Sequence, residues 1–446
     1  MTTCKRGILV LCAFLLAILF AHSETATEES RRSDVLKYGL ETEIVELVGQ
    51  LRNDDDSLAG ELKELFGKTR SPAVREAILE LFARQENGDL TPFCLGVLED
   101  PFDYKRSTVS AVFGYVERLK VAEAAPHVRV LLEQESGEWR SQAIRVLGKI
   151  GQEEDARFLV GYLDEELSGD QKQRLIVRQE VMAALGELKA LSVWDRIVEI
   201  AEDEDENAVI RATAARTIGA MGKREGLPTL SRVFEDQDPL LRAAAVAGMS
   251  YFDCSEAESV VLEGFKDSHY KVRLEALSAS EKMKFSGATG HAIYRARTDP
   301  VEAVRMRAFD AIAKIGDGDG VKWLADTVAD EKASDKIRVK AIQVLWSGNS
   351  GAIERDVEKL AFAALKDDKK TWIRYEIGKV LSDKKNKGIP DLAIAYLQHK
   401  DPTTKALGIE MYSAHKFSGA REMVESIAAD GKMGGLQSRA KRALEQ

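Results

Sequence analysis

The sequence predicts an all-α solenoid of about 11 or 12 helical hairpins. Three observations predict this fold. A helical segment with its own start and stop signals recurs at a nearly constant period. A second amphipathic segment lies between successive copies. The sequence also lacks the alternating runs of Val, Ile and Thr, bounded by turns, that would indicate strands. Because Pro is scarce, at 9 of 446 residues, and no low-complexity linker divides the chain, we expect one continuous array.

The segment 299–316 shows the signals of one helix. Asp299 is expected to be the N-cap of this helix, and Pro300 is favourable at the first helical position. Glu302 lies three residues after Asp299, the spacing at which the two residues can form a capping box. An apolar stripe follows at helical spacing, formed by Val304, Ala308, Ala311, Ile312 and Ile315. Gly316 supplies the left-handed residue that ends a helix. Such a stripe needs a neighbouring helix to pack on.

Related segments recur from Arg75 onward, each with a cation followed by small or apolar residues. We call this cation the anchor of its repeat. Successive anchors are 31 to 38 residues apart, and they are Arg75, Arg106, Arg140, Arg178, Arg211, Arg242, Arg273, Arg305, Arg338, Arg374 and Lys405. Second helices are predicted between them, for example at 156–166, 192–203, 320–331 and 421–430. Each repeat therefore reads as helix A, a short turn and an anchor-bearing helix B. The long gaps before Arg178 and Arg374 predict longer turns, such as the polar stretch 167–173.

The repeats resemble HEAT-like repeats, especially the short bacterial type described around phycobilisome lyases. The resemblance lies in a Val/Ile/Leu-Arg pair, a small residue three positions later, a Gly near the end of helix B, and an Asp six positions before the anchor. That Asp is present as Asp100, Asp205, Asp236, Asp267, Asp299 and Asp368. The resemblance covers roughly residues 70–446. It implies a right-handed α-α superhelix of the HEAT/ARM type, in which these Asp and Arg residues form a ladder between neighbouring repeats. Lys172, Lys332 or Gln134 replaces the Asp in other repeats, so the ladder is expected to be weaker there.

The N-terminus has the pattern of a secretory signal peptide. Lys5 and Arg6 precede an unbroken apolar run, 8–21, and small residues stand before a cleavage site at Glu24. Fourteen apolar residues are few for a membrane span, which needs about 20, so an uncleaved anchor is the alternative. The expected organisation is a signal peptide at 1–23, a disordered leader at 24–33, an N-terminal helical cap at 34–68 and the solenoid at 69–446.

The charge and cysteine content narrow the function classes. Residues 1–23 carry two positive charges and no acid, so cleavage changes the formal net charge from −10 to −12. An acidic chain is repelled by phosphate backbones, which argues against nucleic-acid binding. After cleavage we expect no stable membrane span.

Cys94 and Cys254 lie about five repeats apart, too far for a disulfide. Few cysteines in an exported chain suit a bacterial envelope, so a periplasmic or secreted location is predicted.

The sequence contains no residues in a pattern typical of catalysis, cofactor binding or metal binding. Five histidines remain after cleavage and are scattered over different repeats. A di-iron hydroxylase built on HEAT-like repeats uses paired His-Glu motifs, and this chain has no His-Glu dipeptide. The acidic stretches 202–206 and 315–323 are interpreted as solvated turns. The stretch 315–323 is not predicted to bind calcium, because it lacks acids at the spacing that a calcium loop requires.

The surface of helix B is the remaining candidate for function, because in the HEAT-like family helix B lines the concave side. Its exposed positions are expected to be small in early repeats, at Ala212, Thr213, Ala243, Ala244 and Ala247. In later repeats Arg307, Lys340, Tyr375 and Lys379 predict a basic-aromatic patch that binds a protein partner. Trp323, Trp346 and Trp372 are expected in the core between helices.

These observations favour a non-catalytic exported scaffold or adaptor that binds another protein through the solenoid surface. One alternative is a lyase-like HEAT enzyme or enzyme subunit, which the family resemblance suggests. Another is a self-assembling structural component of the cell envelope.

Overall fold

All regular secondary structure in the described part of the chain is helical, which confirms the all-α prediction. The computed structural model describes residues 30–134, 137–164 and 170–445. The predicted signal peptide and residues 24–29 of the predicted leader lie outside these ranges. Residues 30–33 of that leader are helical and belong to α1 (30–38). Two contacts hold this helix: Arg32 pairs with Asp55 at 3.1 Å, and the Ser33 hydroxyl donates to Glu61 at 2.6 Å.

The chain divides after Met221 into two compact units. The first unit contains α1 and α2 (Glu41–Gln50), α3 (Ala59–Lys68), α4 (Pro72–Arg84), α5 (Thr91–Glu99), α6 (Arg106–Leu119), α7 (Ala125–Glu133), α8 (Arg140–Ile150), α9 (Glu153–Asp164), α10 (Gln171–Leu188), α11 (Trp194–Glu202) and α12 (Ala208–Met221). Helices α2 and α3 occupy the predicted N-terminal cap.

The second unit contains α13 (Leu227–Phe234), α14 (Pro239–Met249), α15 (Cys254–Gly264), α16 (Tyr270–Met283), α17 (Thr289–Thr298), α18 (Glu302–Ile315), α19 (Gly318–Ala329), α20 (Asp335–Leu365), α21 (Thr371–Ser382), α22 (Pro390–Gln398), α23 (Pro402–His415), α24 (Arg421–Ala429) and α25 (Gly435–Glu445). Short 3₁₀ turns lie at Gly88–Leu90, Pro101–Asp103, Ala122–Ala124, Leu191–Val193, Arg224–Gly226, Ser286–Ala288, Asp368–Lys370, Ser418–Ala420 and Gly431–Met433.

Helices with anchors alternate with helices without them, as the repeat predicts. In the first unit the anchor-bearing helices α4, α6, α8, α10 and α12 pack on one another in chain order. In the second unit the same holds for α14, α16, α18, the first half of α20, α21 and α23, and α23 packs in turn on the last helix, α25. The predicted helices A are observed as α9, α11, α19 and α24. Each unit is therefore a stack of helical hairpins that bury their apolar stripes against the next hairpin.

The helix that follows Asp299 starts two residues later than the sequence predicts. Helix α18 begins at Glu302, with Val301 as its N-cap, and the Asp299 carboxylate instead accepts a bond from the Val301 amide at 2.9 Å. The capping-box prediction is wrong as well, because Glu302 pairs with Lys336. The predicted stop is confirmed, since Gly316 ends α18 at φ 73°.

Four other helices B end at a left-handed lysine rather than a glycine. Lys120, Lys189, Lys284 and Lys416 have φ values of 52° or 53°. Two of these side chains reach the carbonyl groups that end the next helix B: Lys416 Nζ donates to Ala443 O at 2.6 Å, and Lys284 Nζ donates to Lys314 O. A side chain at this position satisfies free carbonyls that a glycine cannot reach.

The two long gaps between anchors contain more helix than the sequence predicts. Before Arg374, α20 consists of two helical segments that meet at Asn349, whose φ and ψ of −134° and 34° are not helical. Gly and Ser residues around Asn349 explain the kink between the two segments. Before Arg178, α10 already begins at Gln171, because the Asp170 carboxylate caps it by accepting from the Gln173 amide at 2.8 Å. The predicted turn therefore ends before residue 171, and 165–169 lie outside the described residues.

The three C-terminal tryptophans have different environments. Trp346 is 1% exposed, and its Nε1 donates to Lys387 O at 2.8 Å. Trp323 is half-buried, with its ring 5.2 Å from that of Phe309. Trp372 is 46% exposed, so the prediction that it belongs to the core is wrong. It is the second residue of α21, on a turn of helix that neighbouring helices do not cover.

Candidate protein-binding site

The anchor arginines of the second unit form the predicted ladder at two successive junctions. Arg242 donates Nε and Nη2 to the Asp267 carboxylate at 2.7 and 3.0 Å. Arg273 binds Asp299 in the same two-point manner at 2.7 and 2.9 Å. The free Nη1 of each Arg turns back to carbonyl groups of its own repeat, such as Asp236 O at 3.0 Å from Arg242. Each arginine therefore joins two neighbouring repeats, which is a structural role.

The carboxylates of the ladder stay ionised although they are buried. Burial raises the pKa of the Asp299 carboxyl, but hydrogen bonds from Arg273 and the Val301 amide outweigh it and hold that pKa below the ordinary 3.8. The pKa of Asp267 is lowered in the same way against its burial, by Arg242 and by the His269 amide. Hydrogen bonding to the charged form is the dominant favourable effect at both sites.

Three of the predicted ladder aspartates make no such contact. Arg178 binds Glu206 at 3.1 and 2.6 Å instead of Asp205. Asp368 pairs with Lys400 at 2.6 Å. Arg75 lies over the rings of Phe66 and Phe93 rather than at Asp100, 5.9 and 5.8 Å from their centroids.

Two of the three junctions that are predicted to be weak lack an ion pair within the described residues. At the third, where Gln134 replaces the aspartate, Arg106 pairs with Glu138 at 3.5 Å. Lys172 and Lys332 replace the aspartate in two repeats. Within the described residues, the preceding anchors Arg140 and Arg305 make no ion pair with a carboxylate. The Nε of Arg140 is buried without a hydrogen-bond partner, and Arg305 donates to the Asp299 carbonyl at 2.6 Å.

A second set of polar contacts joins the exposed edges of successive helices B. Its members pair a cation or amide on one helix with a carboxylate on the next: Arg145–Glu117, Lys149–Glu187, Arg307–Glu281, Lys340–Asp310, Gln343–Glu376 and Arg439–Glu410. Partly exposed pairs of this kind stabilise the fold only slightly.

This second set includes two of the four predicted patch residues. Arg307 pairs with Glu281 and donates to the Ser278 hydroxyl at 3.3 Å, while Lys340 Nζ lies 2.6 Å from Asp310. Burial raises the pKa of Glu281, but hydrogen bonds from Lys314 and Arg307 outweigh it, so the pKa is lowered. Both cations are thus engaged within their own chain, and the structure does not bring them together with the other two residues of the predicted patch.

The small residues predicted to line the early helices B are mostly buried. Ala212, Ala243, Ala244 and Ala247 are buried, and Thr213 is half-buried, with its hydroxyl donating to the Val209 carbonyl at 2.8 Å. Small side chains allow neighbouring helices B to approach closely here. The prediction of an exposed surface at these positions is therefore wrong.

Tyr375 and Lys379, the other two predicted residues, line a groove across three successive helices B. The groove has a volume of about 680 Å³ and lies on α21, α23 and α25, together with the 3₁₀ turn Gly431–Met433. Its lining consists of Tyr375, Lys379, Pro402, Thr403, Ala406, Leu407, Glu410, Lys432, Met433, Gly435, Leu436 and Arg439. We call it the C-terminal groove.

The floor of the C-terminal groove is apolar and belongs to a well-packed core. Leu407 is 4% exposed, and Met433 and Leu436 pack on the buried cluster beneath α23 and α25. None of these three residues stands in a sequence pattern that predicts a binding site. The pair Gly434-Gly435 was the available signal, because the left-handed Gly434, at φ 52°, directs the chain into α25 beside the groove.

The rim of the C-terminal groove is aromatic and basic. Tyr375 is 39% exposed, and Lys379 Nζ lies 5.4 Å from the centre of its ring. Arg439 is paired with Glu410 at 3.0 Å. In the described part of the chain, Lys379 and Lys432 have no carboxylate within ion-pair distance. The groove therefore combines an apolar floor with two ammonium groups that are free to bind an anion.

The possible metal ligands of the described residues are dispersed, and the Cys94 thiol is buried. No group of three or more His, Cys, Asp or Glu side chains among them could hold a metal ion. Burial raises the pKa of the Cys94 thiol to about 12, so that group stays protonated at neutral pH. Within the same ranges no helix combines the length and apolar character needed to cross a membrane.

Comparisons with known proteins identify the type of repeat. The profile of the family described as Spirochaete HEAT repeat protein matches residues 36–443. Deoxyhypusine hydroxylase of Candida albicans is 29% identical over 133 residues, a match that spans 28% of this chain and only 41% of that protein.

Solved structures with a similar fold include the karyopherin Kap121p bound to the extreme C-terminus of the protein phosphatase Cdc14p. That likeness has a TM-score of 0.41 and 12% identity, over 92% of this chain and 53% of the other. Another is the complex of CpcE and CpcF of phycocyanin lyase from Nostoc sp. PCC7120, with a TM-score of 0.31 and 15% identity. It covers 65% of this chain and 94% of the other.

Proposed function

The chain belongs to the spirochaete HEAT repeat protein family, and from that premise we propose that it is an exported, non-catalytic scaffold that binds another protein through its solenoid surface. The observation that carries the proposal is the C-terminal groove. It presents an exposed tyrosine and two ammonium groups without carboxylate partners above an apolar floor. Aromatic and basic side chains around an apolar centre are enriched where protein partners bind most strongly.

Crosslinking in the native cells tests the scaffold role. A lysine-reactive crosslinker followed by mass spectrometry should link Lys379 or Lys432 to one other protein. Substitution of Tyr375 by Ala should reduce the yield of these links, because the ring is part of the contact. Tyr294→Ala is the matched control, since Tyr294 is an exposed tyrosine of α17 outside the groove. Links confined to copies of this chain would instead identify a self-assembling component.

The exported location is supported by the predicted signal peptide at 1–23. Expression of the full chain should give a processed protein outside the cytoplasm, with Glu24 as its first residue by mass spectrometry. Deletion of residues 2–23 should keep the protein in the cytoplasm. An unprocessed full-length chain retained in the membrane fraction would show that the apolar run serves as an anchor.

A further inference from the structure

The C-terminal groove has a charge opposite to that of the chain around it. The whole protein carries a formal net charge of −10, yet the groove is lined by three cations, Lys379, Lys432 and Arg439, and one carboxylate, Glu410. The Glu410 carboxylate is engaged with Arg439. Two positive charges therefore remain, and they stand on opposite sides of the apolar floor, on α21 and on the turn before α25. The potential in the groove favours an anionic ligand.

The aromatic surface of the groove continues along α21. Trp372 lies three residues before Tyr375, and Lys379 lies four residues after it, so the three side chains follow one face of the helix. Trp372 and Tyr375 are 46% and 39% exposed. Because Trp372 is not part of the groove lining, the exposed Trp and Tyr extend the apolar surface along α21 beyond the groove, which suits an extended chain better than a small molecule.

We infer that the C-terminal groove binds an acidic linear peptide of the partner protein, in which one bulky apolar side chain is flanked by Asp or Glu. The apolar side chain packs on Leu407 and Leu436, and the flanking carboxylates pair with Lys379 and Lys432. The peptide backbone runs along α21 past Tyr375 and Trp372. This inference rests on the proposed scaffold function and specifies the chemistry of its partner.

A fluorescence anisotropy titration of the full chain tests the inference. The probe is a labelled, acetylated peptide with one phenylalanine between two glutamates on each side. Two control peptides replace the phenylalanine by serine or the glutamates by lysine. Only the first peptide should bind, and its affinity should fall as the salt concentration rises, because the paired charges are partly exposed. Equal binding of the lysine peptide, or no binding of the first peptide at about 1 mM, overturns the inference.

Variants locate the bound peptide. Lys379→Glu and Lys432→Glu should each weaken binding of the acidic peptide by about tenfold, because each reverses a charge that the peptide contacts. Lys384→Glu is the matched control: it makes the same charge change at an exposed lysine outside the groove, and it should leave the affinity unchanged. A loss of the same size in all three variants would show nonspecific attraction and would contradict the inference. Circular dichroism establishes that each variant is folded.

The outcomes separate this inference from the scaffold proposal. If crosslinks in cells map a partner to other helices while the peptide does not bind, the groove inference fails and the scaffold role stands. If the peptide does not bind and no partner is crosslinked, both fail. Competition by the acidic peptide for the crosslinks of Lys379 or Lys432 would support both.

Discussion

Asp299 connects two repeats through a carboxylate that has no exposed surface. Arg273 donates two bonds to it, and Arg295 lies 3.4 Å from the same oxygen that accepts from Arg273 Nε. Removing one partner of a buried pair leaves the other charge unpaired in a site that water cannot reach. Asp299 therefore stabilises the fold by neutralising Arg273, because its loss would leave a buried guanidinium without a counter-charge.

We expect Asp299→Asn to destabilise α16 and α18 by about 3 kcal/mol, because the Arg273 guanidinium loses its counter-charge. Asp310→Asn is the matched control, since Asp310 pairs with Lys340 at a partly exposed site and should cost less than about 1 kcal/mol. Hydrogen exchange with mass spectrometry, analysed helix by helix, measures both effects. Equal effects of the two substitutions would contradict the buried role of Asp299.

The pH dependence of this pair has a defined sign. The folded-state pKa of Asp299 lies below the ordinary value of 3.8, so ionisation stabilises the fold fully above that value. The contribution declines below pH 3.8 and is lost as the pH falls through the folded-state pKa. The difference in stability between the native chain and Asp299→Asn should therefore be constant at neutral pH and shrink in acid. A difference that grows below pH 3.8 would contradict this assignment.

At this scale the sequence predicts the residue types of the ladder better than their positions. The segment 202–206 contains five consecutive acids, and any of the last few could face Arg178. Glu206 is the one that does: its carboxylate accepts from Arg178 at 2.6 Å, whereas Asp205 lies within the turn and its amide donates to the Asp203 carboxylate at 3.0 Å. Such a choice depends on the conformation of the turn, which local sequence does not specify.

At the scale of helices, α6, α10, α16 and α23 each end at a lysine in the left-handed conformation. Replacing such a lysine by glycine separates the steric cost of this conformation from the contacts of the side chain. Lys189→Gly should stabilise the chain by about 0.5–1 kcal/mol, because glycine adopts this conformation without steric cost and the Lys189 side chain is exposed. Lys416→Gly should give less, since it also removes the bond from Nζ to the Ala443 carbonyl. Thermal unfolding of the two variants makes the comparison, and an equal gain would show that this bond is unimportant.

Helices are the level at which the sequence is most informative, because their apolar stripes repeat every 3.6 residues and need only local information. The long gap before Arg374 is the main exception. A longer turn is predicted there, whereas the chain forms two helical segments that meet at the single non-helical residue Asn349 within α20. The burial of alanines on helices B was also missed, because burial depends on the neighbouring repeat.

At the scale of the molecule, each repeat depends mainly on the repeats beside it. Phe309 is 1% exposed in α18 and packs on Trp323 of α19. Phe309→Ala should cost about 3–5 kcal/mol, and the loss of protection from hydrogen exchange should be confined to α16 through α20. Helices α23 and α25 should keep their protection. A uniform loss across residues 222–446 would show that this unit unfolds as one cooperative block instead.

The all-α repeat array could be predicted from sequence because every repeat carries the same signals. The C-terminal groove could be predicted only in part. Tyr375 and Lys379 were found as exposed positions of one helix, whereas Leu407 and Leu436 come from two later helices. A groove formed by three helices depends on how those helices pack, and no single segment of sequence contains that information.

The ladder also bears on how an array of this kind changes its length. Each repeat that carries the full motif has a donor for the repeat after it and an acceptor for the repeat before it, as Arg242, Asp267, Arg273 and Asp299 show. Arg242 and Arg273 are 31 residues apart. Tandem duplication of that period in the gene would create a new junction with complementary groups already in place, so the array can lengthen in a single genetic step without leaving a buried charge unpaired at the seam.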